Sequence, residues 1–367
     1  MSTEIIEHPT AADTTEEKHF PIRLTLYCIA HFLIDLASTM IVLGYIWGVH
    51  KDTAAFIGFY AIAFAGQMPL GLLADKLNRN GLVAAAGCVS MIAATALMLL
   101  PCDPVFYAVV ILGGLGNALV HIGGGIDVMN HSGPKSGPLG IFVSPGAIGL
   151  FLGGILVKHN IQIPMLSIAL LSCTAIALPW AHKYSLNGMT SRNERLSLRL
   201  SLNSTKLWAT AAIAALFIVV CMRSLVGFML SFEWKSEFHW GLALLLALVC
   251  GKAFGGVLSD RFGMRRTAIA SLSAAAVCFL FPTVPVAGVL AVFLFNMTMP
   301  MTLWALSRIF DHAKGFAFGT LTLSLFLGFC LNVLFPAPFI PAGWGFSIAS
   351  LLSLALLLIG LKPLSRV

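Results

Sequence analysis

The sequence predicts an all-α membrane protein of twelve transmembrane helices, arranged as two six-helix pseudo-repeats. Three observations predict it: an apolar composition, basic connections that alternate along the chain, and a short motif that recurs at a fixed offset. Of 367 residues, 58% are hydrophobic and only 10% charged, with a mean hydropathy of +0.92. A soluble chain carries roughly 25% charged residues, so water cannot be the solvent for most of this surface. A spanning helix needs ~20 apolar residues, and at about 30 per helix plus connection the chain holds about twelve. No length is left for a separate soluble domain.

Glycines, prolines and charges divide the chain into spans at 22–48, 53–75, 81–101, 104–130, 138–158, 162–182, 207–231, 237–258, 264–282, 285–310, 313–335 and 341–362. Residues 1–20 hold five acids (Glu4, Glu7, Asp13, Glu16, Glu17) against Lys18. They lack the basic start and apolar stretch of a secretory signal and read as a disordered cytoplasmic tail. The longest connection, 183–206, separates an N-terminal half (21–182) from a C-terminal half (207–367).

The basic residues are one-sided. Connections after even-numbered spans carry Lys76 and Arg79, Lys135, then Lys183, Arg192, Arg195, Arg199 and Lys206, then Arg261, Arg265 and Arg266, with Arg308 and Lys314 flanking the next. Connections after odd-numbered spans carry only Lys51, Lys158 and Lys235. The positive-inside rule puts both termini and the central linker in the cytoplasm, as expected of a multi-pass protein in a bacterial inner (plasma) membrane.

The same distribution bounds the function. A net charge of +7 invites nucleic acid as a partner, but no basic helix or aromatic-interleaved patch exists to bind it. Eight scattered cysteines without a CxxC argue against a disulfide framework or metal cluster. No phosphate-binding loop of the Gly-x-x-x-x-Gly-Lys-[Ser/Thr] kind occurs, so ATP drive is not expected. Neither a nucleophile constellation nor a cofactor motif appears, so the chain reads as a non-enzyme, a monomer in the bilayer.

An internal repeat organises the spans. Gly71-Leu72-Leu73-Ala74-Asp75-Lys76-Leu77-Asn78-Arg79 follows the second span; Gly256-Val257-Leu258-Ser259-Asp260-Arg261-Phe262-Gly263-Met264-Arg265-Arg266 follows the eighth. Asp75 and Asp260 stand 185 residues apart, as do the starts of the first and seventh spans. Parallel repeats of this kind place a substrate site between the halves near the midplane.

The repeated Gly-x-x-x-Asp-[Arg/Lys]-x-Gly-x-[Arg/Lys] pattern resembles the loop signature of the major facilitator superfamily. The first copy departs from it, with Asn78 where Gly is usual and Asn80 where a base is common. His31-Phe32-Leu33-Ile34-Asp35 in the first span, with Gly113-Gly114-Leu115-Gly116-Asn117-Ala118-Leu119-Val120-His121-Ile122-Gly123 in the fourth, is similar to the fosmidomycin-resistance branch of drug exporters. There the run Gly123-Gly124-Gly125 departs from the usual small-plus-acidic continuation. The resemblance implies the twelve-helix fold, alternating access and a central cavity lined by the first and fourth helices of each half.

It also implies a role for the loop motif: Asp75 caps the amino end of the eleventh helix near Lys314–Gly319. Such an end carries about +0.5 charge and unpaired N–H groups. By the same logic Asp260 meets the start of the fifth helix near Ser136–Gly137. Arg79 pairs with Asp127, and Arg265 or Arg266 with Asp311. These contacts would hold the cytoplasmic side shut. The competing reading leaves Gly71, Lys76, Gly256, Arg261 and their neighbours as a solvated loop that only sets topology.

Ionisable residues at membrane depth cost at least ~2.5–3.5 kcal/mol on insertion scales and are functional candidates by default. Asp35 lies about 13 residues into the first span, ~20 Å at 1.5 Å per residue. His31 precedes it by one turn on the same face, and a His–carboxylate pair can hold and release a proton near neutral pH. A brace for helix packing is the alternative. A metal site is not expected, because no second His-rich cluster accompanies the pair. Asn117 and His121 repeat the i, i+4 spacing in the fourth span. Since the resemblance lines the cavity with the first and fourth helices, it implies that the two pairs face one another, with a satisfied core histidine as the alternative for His121. Arg223, about 16 residues into the seventh span, is placed to pair with Asp35, to meet an anionic substrate, or to snorkel toward Glu233 or Glu237. Lys252 in the eighth span either enters the cavity or reaches the membrane surface.

The fifth span places Gly140, Gly149, Gly153 and Gly154 around Ser144-Pro145-Gly146. This spacing partly resembles the antiporter signature of drug exporters, and close helix packing explains it equally well. The expected function is a secondary active transporter moving a small organic molecule by alternating access, as a proton-coupled exporter. An uptake symporter for a metabolite or ion, or a non-transporting sensor of the same fold, uses the same parts.

Overall fold

A computed structural model describes residues 11–100, 103–183, 206–335 and 340–364. The expectations for residues 1–10 of the tail, and for Arg192, Arg195 and Arg199 of the linker, lie outside the described residues. Twelve helices follow in order. In the N-terminal half, α1 runs Ala11–Thr39 and continues with π winding through Met40–His50, followed by α2 Thr53–Leu77, α3 Asn80–Leu97, α4 Phe106–His131, α5 Gly137–Lys158 and α6 Pro164–Lys183. The C-terminal half comprises α7 Lys206–Met229, α8 Phe238–Phe262, α9 Met264–Phe279, α10 Pro285–Ile309, α11 Lys314–Leu334 and α12 Trp344–Leu361.

Eleven of these are long and apolar enough to cross a membrane. The exception is α9, with 16 residues. At 1.5 Å per residue it reaches about 24 Å, short of a hydrocarbon core of about 30 Å. It stops early because Phe281 precedes Pro282, and a residue before proline is steered away from helix. Side chains on the outer faces are apolar and exposed, among them Tyr107, Ile176 and Leu207 at 64%, 74% and 76%. Patches of that kind are a liability in water; around this bundle they meet lipid, as in a multi-pass membrane protein.

Three helices are interrupted near their middles, and each interruption frees backbone groups. Helix α2 passes through a π-wound turn at Ala61–Ala65. Helix α5 breaks between Val143 and Pro145, and α10 between Asn296 and Met299 just before Pro300. Proline has no N–H to give the carbonyl four residues earlier. At α5 the Ile141 carbonyl, which Pro145 cannot serve, accepts instead from the Ser144 N–H at 3.4 Å and from the Cys28 thiol at 3.6 Å.

Within the first half, α1 packs on α5 and α6, and α3 on α4 and α6; within the second, α7 packs on α11 and α12, and α8 on α10. The halves meet along two seams, α2 against α11 and α5 against α8. Phe20 stacks on His131 at 5.5 Å, and the Lys362 ammonium lies 3.7 Å from the Trp208 ring centroid. Both described chain ends therefore sit at the face carrying the two loop motifs, called here the motif face.

The departure at Asn78 has a conformational reason. Asn78 closes α2 with φ 49°, and Gly263, 185 residues on, closes α8 with φ 89°. Left-handed backbone favours Gly, and Asn is among the few other residues that tolerate it. The two copies of the motif thus both end their helix on a positive φ, Asn78 in the left-handed helical region with ψ 44° and Gly263 outside it with ψ 139°.

Candidate functional site

At the motif face, carboxylates cross both seams in opposite directions. Asp75, on α2, accepts N–H bonds from Gly315 at 2.8 Å and Phe316 at 3.0 Å in the first turn of α11. Asp260, on α8, accepts from the N–H groups of Ser136 at 2.7 Å and Gly137 at 2.8 Å, and from the Ser136 hydroxyl at 2.9 Å, at the start of α5. Each half thus supplies an acid to a helix amino end of the other, where orphan donors and the helix dipole favour negative charge. Close backbone approach makes the bonds possible: a Cβ on Gly71 would overlap the Gly315 carbonyl, and one on Gly256 would collide with Ser136.

The basic residues of the motif behave differently. Arg79 is exposed beyond the left-handed turn and makes no ion pair among the described residues, while Asp127 is 2% exposed, with His131 Nδ1 3.6 Å from its carboxylate. The expected Arg79–Asp127 pair is absent because the turn at Asn78 swings residue 79 outward. Asp311 lies 3.4 Å from Lys314 and 4.0 Å from Arg308 on its own stretch of chain. The expected pairing with Arg265 or Arg266 is likewise not made; both, like Lys76 and Arg261, are exposed. Sequence reasoning missed Arg23, 1% exposed within α1, two turns before His31. Its signal was an arginine just inside the first apolar span, 22–48.

Midway through the bundle, α1 and α4 bring four predicted residues into one buried cluster. His31, Asp35, Asn117 and His121 are each 8% exposed or less. Asn117 Nδ2 is 3.0 Å from both Asp35 Oδ1 and Ser38 Oγ. His31 Nε2 lies 3.3 Å from Asp35 Oδ2, and His121 Nε2 lies 3.7 Å from Asp35 Oδ1. The two imidazoles meet Nε2 to Nε2 at 2.9 Å.

Hydrogen-bond bookkeeping fixes the tautomers. His31 Nδ1 is 2.8 Å from the Phe142 carbonyl of α5, and His121 Nδ1 is 2.8 Å from the Asn117 carbonyl. A carbonyl only accepts, so both Nδ1 atoms carry protons and donate. Two neutral rings then turn Nε2 lone pairs toward one another and toward a carboxylate. A 2.9 Å contact between them is favourable only with a proton, or another cation, between the nitrogens. Gly146, just past the break in α5, borders this space: a Cβ there would fall on His31 Nε2 and Asp35 Oδ2.

Two cations face the seam from the other half. Lys252 Nζ donates to the Val143 carbonyl at 3.3 Å. That carbonyl is left free at the α5 break, where Ala147 N–H turns to Ser144 O. Arg223 is 7% exposed and donates to the hydroxyls of Thr298 at 3.0 Å and Thr302 at 3.4 Å beside the break in α10. It pairs with neither Asp35 nor Glu233 or Glu237. Arg223 is buried with no carboxylate partner among the described residues, which is costly for a charge; Lys252 is half-buried and likewise has none.

The architecture is the major facilitator fold, two six-helix halves about a central polar layer. No family model matches the sequence, and no curated protein matches it. Among solved structures the chain is similar to the human organic anion transporter MFSD10 (TETRAN), with a TM-score of 0.67 at 15% identity over 92% of this chain and 98% of that one. It is also similar to the Escherichia coli fucose:proton symporter FucP, with a TM-score of 0.58 at 14% identity over 93% of this chain and 98% of that one. Likenesses at this identity concern the fold.

Proposed function

We propose that the chain is a secondary active transporter that moves a small organic molecule by rocking its halves about the α2–α11 and α5–α8 seams, with proton coupling. The observation that carries the reading is the convergence of Asp35, His31 and His121 at mid-span, with ligand atoms 2.9 to 3.7 Å apart. Such a cluster is expensive in a membrane, and its Nε2 pair calls for a bridging cation. The positions of Lys252 and Arg223 support an organic anion as the molecule carried. Both structural neighbours are transporters by name, one of organic anions and one a proton symporter. The likeness to drug exporters favours export from the cytoplasm, with the motif face inside; the fosmidomycin-resistance branch belongs to this reading.

The test is accumulation in proteoliposomes under a pH gradient of either sign. The probe is a small organic acid chosen by thermal stabilisation of the purified protein, read as ligand linkage. Asp35→Asn should retain exchange down a concentration gradient and lose accumulation driven by the pH gradient. His31→Ala should reduce accumulation without abolishing it. Wild-type accumulation by Asp35→Asn would remove the coupling site from this cluster.

A further inference from the structure

We propose that His31, Asp35 and His121 form a binding site for a divalent first-row transition-metal ion. This rests on the reading of the cluster as the transporter's working centre, and it names a second cation class for the same atoms. By spacing alone His31 and Asp35 stand as an isolated pair. The third donor comes from α4, 90 residues from His31, and only the packing of α4 on α1 supplies it.

The donor set suits a metal in its first shell. One atom from each residue can be chosen so that all lie within 4.8 Å of one another. For bonds of about 2.0–2.1 Å, neighbouring donors stand about 2.9 Å apart at a right angle and about 3.3 Å at the tetrahedral angle. The two Nε2 atoms stand 2.9 Å apart, His31 Nε2 is 3.3 Å from Asp35 Oδ2 and His121 Nε2 is 3.7 Å from Asp35 Oδ1. Each imidazole thus faces its own carboxylate oxygen, and a rotation of the carboxylate would bring one oxygen, or both, onto an ion held by the nitrogens. Two imidazoles and one carboxylate form the facial set that binds such metals while leaving positions open. The hard ions Ca²⁺ and Mg²⁺ favour oxygen ligands instead.

The surroundings of the donors fit as well. Metal-bound histidines donate their other N–H to a carbonyl or carboxylate, and both Nδ1 atoms here do so, to Phe142 and Asn117. Asp35 is held by Asn117 Nδ2. Asn117 Oδ1 is buried without a hydrogen-bond partner, an acceptor for a water or hydroxyl completing the coordination. Gly146 keeps one side of the gap clear, where any Cβ would sit on two of the donors. Open positions and a bare side are what an ion that must enter and leave requires.

The experiment uses the full chain, purified in detergent and stripped with a chelator, titrated with Co²⁺ alone at neutral pH. The expected result is visible d–d absorption saturating at one equivalent and erased by Zn²⁺. His121→Gln and Asp35→Asn should weaken binding by more than about 10-fold, the smallest loss usual even for outer-shell changes. Gly146→Ala, which keeps every ligand, should weaken it as well. X-ray absorption on cobalt-loaded wild type should find two imidazoles, a readout independent of whether any variant folds. No saturable wild-type spectrum, no imidazole scattering, or unchanged binding by Asp35→Asn and His121→Gln would each overturn the proposal. Metal-free transport separates the two readings. Loss of pH-driven accumulation in Asp35→Asn without cobalt binding by wild type removes the metal alone. Cobalt binding with unimpaired accumulation in Asp35→Asn removes the proton role alone.

Discussion

Asp75→Asn should loosen the motif face. In the structure, both Asp75 oxygens are used, one on each of two successive N–H groups at the start of α11. An amide presents one acceptor and turns an NH₂ toward the second N–H, so one bond is lost and the other loses its charge. Hydrogen bonds to charged groups contribute about 1.5–3 kcal/mol and neutral ones about 0.5–1.5 kcal/mol. The interaction with the helix dipole adds a few tenths to about 1 kcal/mol. Because the carboxylate is only partly buried, the net loss should be about 1–3 kcal/mol, a shift of about 5- to 150-fold toward the open gate. Asp260 still latches the other seam through separate partners, so closure weakens without vanishing, and Asp260→Asn should add to the effect. Spin labels at Leu77 and Phe262, both exposed at the ends of α2 and α8, read the distance across the face in a background without other reactive cysteines. A longer-distance population should grow in Asp75→Asn. An unchanged distribution would mean that the carboxylate does not hold the gate.

Three further outcomes are expected. Asn78→Gly should leave thermal stability nearly unchanged, whereas Asn78→Val, β-branched at φ 49°, should cost about 1–2 kcal/mol; equal melting temperatures would refute the role of the left-handed turn. Lys252→Met should leave the Val143 carbonyl without its Nζ donor and lower stability by about 1–3 kcal/mol, visible as a reduced Tm in detergent. A cysteine at Arg195, in the basic linker, should escape a membrane-impermeant maleimide in intact cells; labelling from outside would reverse the topology drawn from the basic residues.

The class of fold was legible because it depends on quantities that a chain carries locally. Apolar runs of spanning length, the alternation of basic connections and the 185-residue offset between Asp75 and Asp260 each follow from how a helix meets a bilayer, whatever the helices then pack against. The exception among the spans, α9, ends at a local signal too, Phe281 before Pro282. Candidate residues were visible for a related reason: Asp35, His31, His121 and Arg223 stand out because an ionisable group in an apolar run is costly wherever it points. Their contacts were not visible in the spacing, although the resemblance implied that the pairs of the first and fourth spans face one another. Arg79 and Asp127 looked complementary by charge, yet the left-handed turn at Asn78 sends one outward while the other stays buried.

By itself, then, the sequence determined twelve helices in two halves, the face on which the motifs lie, and which side chains would be costly inside the membrane. Tertiary structure alone decided by which atoms His121 closes on His31 and Asp35, that Lys252 caps a carbonyl freed beside Pro145, and that Arg223 turns to two threonines. The physical reason is that these are short-range contacts of 2.8 to 3.7 Å between helices far apart in the chain. Their geometry depends on which face each helix buries and where prolines and glycines let backbones approach, and neither is encoded in residue spacing.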